Sequence, residues 1–415
     1  MKTLYSKIIK RLKKVTGRII PHNSHFRPHS AFIIDSDNLA SCSSGAVILH
    51  RVYPSYQTTL DITDDLFDAC SDYWKPKRQV ETDYILTEVP GGRVYTDNES
   101  SVAIINKYNQ IIDNVSLNLR NGKVTGVGFN NIFEQRFFTE PAKFTGTVFS
   151  MLTGGAGLNN ISHWFIDVLP RLHLLRESGL YNKVDWFLVP SLKYSFQTET
   201  LRLLGIPKEK IIAGDIYPHL TADSIIASTA PRGNHTLVPI WLCDYIRNAF
   251  LSLPESRPEQ DQKATKIYIS RSDSKIRHVE NEAELVKALQ PYGFKSVVLS
   301  QLSISERIEL FSKASAVVSA TGAGLVSILF CKPGTKVIEL FNEGFVIEPY
   351  YDIATKINLD YHYLICKGKR KVENAKQGQH DNLWVDIPRL TNMLHKIEGD
   401  NTVEIKAAQE TDFSL

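Results

Sequence analysis

The stretch VVSATGAGLVSILFCKPGTKVIEL, residues Val317–Leu340, decides how the fold is interpreted. A short turn with Gly322 and Gly324 separates two apolar runs, and a third apolar run follows Pro333-Gly334. This order predicts a strand, a glycine loop, the start of a helix and a second strand. Glycines at the start of a helix let backbone N–H groups approach a ligand closely, and the helix dipole adds about half a positive charge there. The loop is therefore predicted to bind an anion, most commonly a phosphate.

The length and composition of the chain suit two globular domains in a reducing compartment. The 415 residues are too many for one ordinary core, because domains usually hold roughly 50–200 residues. The formal net charge of +3 is too small for the surface of a nucleic-acid-binding protein, so no nucleic-acid partner is expected. The five cysteines lie far apart and form no C-x-x-C pair, which indicates neither a zinc site nor a disulfide framework.

Residues 21–252 are predicted to form the N-terminal domain, with a β-rich first part. Short runs rich in Val, Ile, Tyr and Phe begin at Tyr84 and alternate with turn clusters, which predicts a β meander that includes a strand over Lys143–Phe149. After Met151 strands alternate with helices, which predicts a parallel sheet covered on both faces.

A second α/β domain follows. The strand and helix alternation resumes after a segment rich in proline and charge, which predicts a doubly wound, Rossmann-like sheet. Asn281 with Glu284, and Ser303 with Glu306, are predicted to be capping boxes of two of its helices. The predicted boundaries are a linker at 253–263, the C-terminal domain at 264–382, a closing helix at 383–397 that packs across the domains, and a disordered tail at 398–415.

The segment Leu152–Arg176 carries a candidate acid–base pair. Its apolar residues recur at helical spacing, Asn160 or Ser162 is a plausible N-cap, and Pro170 predicts a kink. His163 and Asp167 are four residues apart and therefore share one helix face. A carboxylate beside an imidazole orients the ring and raises its basicity, as a general base requires. An ordinary amphipathic helix with a local hydrogen bond remains the alternative.

Candidate anion ligands lie near the glycine loop. Arg271 immediately follows a predicted strand, and Arg277 lies in the same polar stretch. Because the carboxyl ends of parallel strands meet at one sheet edge, both arginines are expected in the same crevice as Gly322. Guanidinium forks match a diphosphate and would hold it without a metal. Glu339 and Glu343 flank the next strand end, where a carboxylate either accepts hydrogen bonds from sugar hydroxyls or is a surface acid.

Three stretches, in this order, resemble the glycosyltransferase family 61 proteins. They are GLNNISHWFIDVLPRLHLL, KIYISRSDSKIRHVENEAELVKAL and LSISERIELFSKASAVVSATGAGLVSILFCKPGTKVIEL. Bacterial members of this family mostly serve capsular and other surface polysaccharide synthesis. The resemblance implies the GT-B architecture, in which two Rossmann-like domains face each other across a cleft. It also implies inverting transfer of a hexosyl, pentosyl or acetylhexosaminyl group, a nucleotide-diphosphate sugar donor, a glycan or lipid-linked glycan acceptor, and no obligatory metal or other cofactor.

The resemblance assigns roles to residues by their position in the motifs. It matches His163, Trp164 and Asp167 to the cleft motif of the N-terminal domain but does not settle the catalytic base, for which His163 is preferred and Asp167 is the second choice. Eukaryotic relatives often carry a histidine directly before the G-A-G sequence, where this chain has Thr321. The other predicted roles are donor phosphate binding by Arg271, Arg277, Thr321, Gly322, Ala323, Gly324 and Leu325, donor ribose or sugar contacts by Glu339 and Glu343, and acceptor binding by Asn159, Asn160 and Trp164.

Two other functions stay open. Asp35-Ser36-Asp37 follows an apolar run, and a D-x-D motif after a strand holds a divalent metal in one class of glycosyltransferases, although aspartates also end strands because they favour turns. A metal site at His22, His25 and His29 is not expected, since no second ligand cluster completes it. The second alternative is a non-catalytic sugar-nucleotide-binding protein of a polysaccharide assembly complex.

Residues 1–20 predict a basic amphipathic helix. Leu4, Ile8, Leu12 and Val15 share one face, and lysines and arginines occupy the others. Such a helix either lies on an anionic membrane surface or docks on its own protein. No run reaches the roughly 18–20 apolar residues that span a bilayer. The expected location is therefore the cytoplasm, with peripheral contact to the inner membrane surface through residues 1–18 under the first interpretation.

Deletion of residues 1–18 tests the membrane interpretation. Without the basic helix the protein should no longer sediment with anionic liposomes, because the electrostatic attraction is lost. Liposome co-sedimentation at two salt concentrations measures the effect, with neutral liposomes as the control. Equal binding of the full-length and truncated chains would contradict the membrane interpretation.

Overall fold

The computed structural model describes residues 24–33, 45–120, 123–253, 264–274, 276–368 and 375–397. Within these ranges no helix is both long and apolar enough to span a membrane. Several predicted features lie outside the described residues: the basic helix at 1–18, His22, the Asp35-Ser36-Asp37 motif, all but the first residue of the linker at 253–263, and the tail at 398–415.

The described strands and helices alternate in the second half of the chain, as the sequence predicts. The strands are β1 Ser30–Phe32, β2 Ile48–Thr59, β3 Gln79–Pro90, β4 Arg93–Thr96, β5 Ser101–Ile105, β6 Gln110–Ile112, β7 Leu117–Arg120, β8 Lys123–Val124, β9 Ala142–Ser150, β10 Trp186–Val189, β11 Ile211–Ala213, β12 His219–Ser228, β13 Thr265–Ile269, β14 Phe294–Val297, β15 Ala314–Ala320, β16 Lys336–Asn342, β17 Asp360–Gly368 and β18 Leu383–Trp384. The α-helices include Asp64–Ala69, Ala156–Asn159, Ile161–His163, Arg171–Glu177, Ser195–Leu203, Ile240–Leu251, Glu282–Leu289, Ile304–Ser312, Pro349–Lys356, Ala375–Gly378 and 387–397.

The chain forms two compact units. The first holds the described residues up to Thr58 together with Gln79–Ile246, and the second holds Thr59–Arg78 together with the described residues from Arg247 onward. The continuous N-terminal domain predicted at 21–252 is therefore wrong for the segment 59–78. Leu60, Ile62 and Leu66 of this segment are buried, and its backbone is bonded to that of the second unit, with Ser71 N donating to Val346 O at 3.1 Å. Nothing in its composition marks it as part of the second unit.

The sheet of the first unit combines antiparallel and parallel strands. Its main order is β1-β6-β5-β4-β12-β9-β10-β11, and β12 also pairs with β3. The long strand β12 is antiparallel to β3 and β4 on one side and parallel to β9 on the other. The meander prediction is thus correct for β4, β5 and β6, which pair in antiparallel succession, and wrong for β3, which pairs with β12 and not with β4, and for β9. Residues 151–185 carry the chain from β9 back to the start of β10, so these two strands run parallel.

The sheet of the second unit has the order β14-β13-β15-β16-β17-β18. All pairs from β14 to β17 are parallel, and only β18 runs antiparallel to its neighbour β17. This confirms the predicted α/β alternation. The predicted closing helix at 383–397 begins later, because Leu383 and Trp384 form β18, and the helix spans 387–397. Its Leu390 and Leu394 are buried in the core of the second unit, with Leu285 and Leu289 in the same cluster.

The strand order reverses once in each parallel set. In the second unit the chain passes from β13 to β14 on one side, and then to β15 on the other side of β13. In the first unit it passes from β9 to β10 and β11, and then to β12 on the other side of β9. Ligands of open α/β sheets bind beyond the carboxyl ends of strands where the order reverses. The segments after β9 and β12, and those after β13 and β15, are therefore the candidate ligand-binding segments of the two sheets.

Candidate functional site

An irregular helical segment after β9 positions His163. Oδ1 of Asn160 accepts hydrogen bonds from Ser162 N at 2.9 Å and His163 N at 3.3 Å, so Asn160, and not the other candidate Ser162, is the N-cap. The helix then widens into a π-helical turn over Trp164–Val168, and Leu169 N donates five residues back to Trp164 O at 3.0 Å. Such turns are rare and are frequent at functional sites.

His163 and Asp167 are in direct contact, as their spacing predicts. Nδ1 of His163 lies 2.6 Å from Oδ2 of Asp167, and the side chains are 36% and 15% exposed. Because a carboxylate only accepts hydrogen bonds, the imidazole proton lies on Nδ1. The neutral ring therefore presents Nε2 as a proton acceptor.

Arg232 clamps Asp167 from the loop after β12. Nε of Arg232 donates to Oδ1 at 2.8 Å and Nη2 donates to Oδ2 at 2.9 Å, while Nη1 donates to Thr236 O. Burial alone would raise the pKa of the Asp167 carboxyl, but the charge of Arg232 and the bond from His163 outweigh it and hold this pKa well below its usual range. Asp167 therefore stays ionised and is a weak base, which disfavours it as the second-choice proton acceptor.

A second arginine ties the same helix to β12. Arg171 is buried, and its Nε donates to Asp167 O at 3.1 Å while Nη1 donates to Ser228 O at 2.9 Å. Burial lowers the pKa of Arg171 to about 10, so its guanidinium is still charged at neutral pH. Sequence reasoning missed Arg171 and Arg232. Arg232 could have been proposed as a site residue from the sequence, because it closely follows a buried strand, as Arg271 does.

The predicted acceptor residues do not form one surface. Trp164 is fully buried, and its Nε1 donates to Thr200 Oγ1 at 2.8 Å, so the acceptor role predicted for it is wrong. Its ring belongs to the core because it lies on the inner face of the helix. The side-chain oxygen of Asn160 is engaged in the cap, whereas Asn159 is exposed at the end of the preceding helix.

Arg271 and the glycine loop come together in the second unit. Arg271 Nε donates to Arg277 O at 3.2 Å, and Nη2 donates to Ser274 Oγ at 2.8 Å and Ile276 O at 3.1 Å. A Cβ at Gly322 would overlap Nη1 of Arg271. Gly322 has an extended backbone that any residue adopts, so a side chain there would not strain the dihedral angles but would displace the guanidinium of Arg271.

Arg277 lies beside Arg271 with unused hydrogen-bonding capacity. Its Nη1 donates to Gln379 O at 2.8 Å and its guanidinium lies 5.3 Å from the centre of the Phe345 ring. Its Nε is buried and has no hydrogen-bond partner among the described residues. Burial and then the charge of Arg271 lower the pKa of Arg277 to about 10. Two neighbouring cations that donate, within the described ranges, to neutral oxygens make an environment that favours an anion.

The loop itself differs from the prediction in two ways. The helix after it is a 3₁₀-helix over Ala323–Phe330 and not an α-helix. The side chain of Thr321 points inward, is buried, and donates from Oγ1 to Glu339 Oε1 at 2.8 Å. Leu325 is also buried, so neither of these side chains contacts a ligand at the surface. The partly exposed residues of the loop are Ala323 and Gly324.

The two predicted sugar-contacting acids have different surroundings. Glu339 is fully buried, and its Oε2 accepts a hydrogen bond from Tyr361 OH at 2.5 Å. The predicted sugar contact of Glu339 is therefore wrong, because the residue lies inside the sheet layer below the loop. Glu343 is exposed just after β16, where its Oε1 accepts from Gly368 N at 3.3 Å.

The part of the chain that the structure describes contains no group of three or more His, Cys, Asp or Glu side chains placed to hold a metal ion. Asp35 and Asp37 are not among those residues. The described site residues thus bear on the arginine-based interpretation and leave the D-x-D alternative to experiment.

Comparison with known proteins identifies the central part of the chain. The family model Glycosyltransferase 61 matches residues 161–338. Protein O-linked-mannose beta-1,4-N-acetylglucosaminyltransferase 2 of Xenopus laevis is 37% identical over 113 residues, which are 25% of this chain and 19% of the relative. The protein of the same name from Takifugu rubripes is 34% identical over 116 residues, with the same shares. These matches span about a fifth of the length of the relatives.

Two solved structures are similar in part. The iron-containing heptosyltransferase TibC in complex with ADP-D-beta-D-heptose matches with 12% identity and a TM-score of 0.27, over 62% of this chain and 75% of its own. The TibC glycosyltransferase from enterotoxigenic E. coli H10407 matches with 10% identity and a TM-score of 0.28, over 65% and 78%. Scores this low carry no argument about the fold.

The ion pair of Arg232 and Asp167 should be a major contribution to stability. Arg232→Met leaves Asp167 partly buried without its counter-ion and should lower the free energy of unfolding by about 3–5 kcal/mol, measured by urea denaturation. Lys183→Met is the matched control, because Lys183 lies 3.2 Å from Glu88 but is 56% exposed. Exposed pairs contribute at most about 1 kcal/mol. Equal effects of the two substitutions would contradict the interpretation.

The same pair predicts an acid dependence. A carboxyl with a lowered pKa stabilises the folded state above its unfolded pKa of about 4, and this contribution is lost as the pH falls further. The difference in stability between wild type and Arg232→Met should therefore shrink below pH ~4. A difference that stays constant down to pH ~2 would argue against an ionised Asp167.

Proposed function

We propose that this chain, which carries a Glycosyltransferase 61 domain, transfers a sugar from a nucleotide-diphosphate sugar to an acceptor hydroxyl. The observation that carries this proposal is the pair of neighbouring arginines at the glycine loop: Arg271 lies against Gly322, and among the described residues the side chains of Arg271 and Arg277 donate to neutral oxygens. Two partly buried cations favour an anionic ligand of two charges, such as a diphosphate.

The second unit would bind the donor. Nη1 of Arg271 lies against Gly322 of the loop after β15, and Arg277, whose Nε has no hydrogen-bond partner among the described residues, lies beside Arg271. As the bond to the sugar breaks, negative charge grows on the leaving diphosphate. Fixed cations that already face this position stabilise the transition state more than the ground state. No metal is needed for this step.

The first unit would remove the acceptor proton. Asp167 fixes the proton of His163 on Nδ1, so Nε2 takes the proton of the acceptor hydroxyl while its oxygen attacks the anomeric carbon. The positive imidazolium that forms is stabilised by Asp167. Arg232 keeps Asp167 ionised, so the proton stays on the ring and is not passed to the carboxylate. Attack from the side opposite the leaving group inverts the anomeric configuration.

The transferred sugar is proposed from the relatives. Two of them are named as β-1,4-N-acetylglucosaminyltransferases, so an N-acetylhexosamine is the first candidate for the transferred group. We further propose the GT-B architecture, a glycan or lipid-linked glycan of a capsular or other surface polysaccharide as acceptor, and a cytoplasmic, membrane-peripheral location. The family match and the sequence motifs support these proposals.

A panel of nucleotide-diphosphate sugars tests donor binding. A ligand that binds only the folded state raises the midpoint of thermal unfolding, by an amount that corresponds to about 2.7 kcal/mol at a hundred times the Kd. Arg271→Ala should weaken binding about 10- to 100-fold, the usual effect of losing hydrogen bonds to a charged group. Lys295→Ala removes an exposed cation of the same unit and is the control. A panel without any midpoint shift would count against donor binding.

Substitution of His163 tests the chemistry. His163→Ala should lower kcat about 10²- to 10⁴-fold with little change in nucleotide affinity, because a general base acts on the chemical step. His395→Ala, an exposed histidine of the second unit, is the control. Turnover is measured with and without EDTA. Loss of activity in EDTA would favour Asp35 and Asp37, and donor binding without turnover in the wild type would favour a non-catalytic binding protein.

A further inference from the structure

A buried acid supports the residue that begins the donor loop. Oε1 of Glu339 accepts the hydroxyl of Thr321 at 2.8 Å, and Oε2 accepts the hydroxyl of Tyr361 at 2.5 Å. The backbone N of Thr321 donates to Leu340 O at 3.0 Å. Neighbouring residues of β16 thus hold both the side chain and the backbone of Thr321, from which the loop leaves the sheet.

Glu339 is also linked to the arginine pair. The charge of Arg277 acts on its carboxylate, and in turn the carboxylate acts on Arg277. Arg277 lies next to Arg271, whose guanidinium covers Gly322 in the same loop. A buried carboxylate therefore lies below the loop, hydrogen-bonded to its first residue Thr321, and its charge acts on Arg277, one of the two cations that the diphosphate would contact.

Apart from the cation Arg277, the titratable groups near Glu339 or its partner Tyr361 stay neutral around pH 7. Burial raises the pKa of Glu339 itself to about 7, and the bonds from Tyr361 and Thr321 and the charge of Arg277 oppose this rise. Burial raises the pKa of Cys70 to about 12 and that of Tyr361 well above its usual value. The groups that face Glu339 or its partner Tyr361 are Thr321 after β15, Tyr361 on β17, Tyr363 paired with Glu339 in register, Arg277 after β13, Cys70 and Tyr351.

We propose that Glu339 is a positioning residue of the donor loop whose carboxylate gains a proton when the diphosphate binds. This rests on the proposed function of the loop as the donor site. A diphosphate beside Arg277 draws on the same positive charge that stabilises the ionised carboxylate. The carboxylate then holds a proton, taken from the solvent, more tightly than in the free protein, and by linkage the donor binds more tightly as the pH falls.

The loop remains held in both protonation states. When Glu339 is protonated, its O–H donates a hydrogen bond to one of the two hydroxyl oxygens. The hydroxyl of Thr321 has a second acceptor, because Leu340 O lies 3.5 Å away. The backbone bond from Thr321 to Leu340 does not involve Glu339 at all. Protonation therefore changes the charge behind the arginines and leaves the loop in place.

The pH dependence of donor affinity tests this proposal. UDP-N-acetylglucosamine is the probe, because its diphosphate stays fully ionised over the range used. The affinity of the wild type is measured by calorimetric titration between about pH 6 and 8.5, a range that includes the pKa of Glu339. The affinity should rise roughly fivefold or more from the high to the low end of this range, a typical linkage effect. Titration near pH 7.5 in buffers of different ionisation enthalpy should show net proton uptake.

Two variants separate a charge effect from a structural one. Glu339→Gln keeps an acceptor for Thr321 and cannot titrate, so its affinity should be independent of pH and at pH 8 should exceed that of the wild type. Tyr361→Phe removes a bond that stabilises the ionised carboxylate, so its pH dependence should persist but shift to higher pH. The uptake measurement on the wild type decides the question even if Glu339→Gln does not fold.

The outcomes distinguish this proposal from the proposed function. Wild-type affinity that is flat or rises with pH, no proton uptake, or an unchanged dependence in Glu339→Gln overturns the role of Glu339 and leaves donor binding intact. If no nucleotide sugar in the panel binds, the proposed function fails, and the role of Glu339 fails with it.

Discussion

A charged group that leaves water has to be compensated by another group, and this constraint shapes both candidate sites. In the first unit the compensation is complete within the chain, because Arg232 donates two hydrogen bonds to the partly buried Asp167. In the second unit it is partial: among the described residues the guanidinium groups of Arg271 and Arg277 donate to neutral oxygens, while the charges of Asp273 and Glu339 act on them. The first site is thus organised by groups of the chain itself, whereas the ligand proposed for the second site is an anion.

The reversal of strand order explains why these groups meet. His163 and Arg232 are 69 positions apart, yet they follow β9 and β12, which are parallel neighbours. Arg271 and Gly322 follow β13 and β15, which are also parallel neighbours. In each unit the chain segments that follow these two strands leave the sheet in different directions, and residues from both segments line the space between them. The α/β architecture thereby brings distant segments together without any local signal in the sequence.

Much of the fold and part of the site could be predicted from local patterns. The predicted capping box of Ser303 and Glu306 is present, and both residues are exposed at the start of their helix. The one predicted for Asn281 and Glu284 is not formed, because the side chain of Asn281 donates to Val385 O and accepts from Val385 N. The contact of His163 with Asp167 follows from helix spacing alone. The positions of Arg232 and of the segment 59–78 depend on tertiary pairing, which no local pattern contains. The burial of Glu339 could have been predicted from the sequence, because a parallel strand in the middle of a sheet is covered on both faces, and a single acid within such an apolar strand is therefore buried.

The π-helical turn over Trp164–Val168 has a consequence for how this segment tolerates insertions and deletions. Such a turn accommodates one residue more than an α-helix of the same length, and one residue corresponds to a rotation of about 100°. Loss of a single codon here would restore a regular helix and leave His163 in place. It would also rotate Arg171 away from Ser228, so the segment is expected to vary between homologous sequences by substitution and to keep its length.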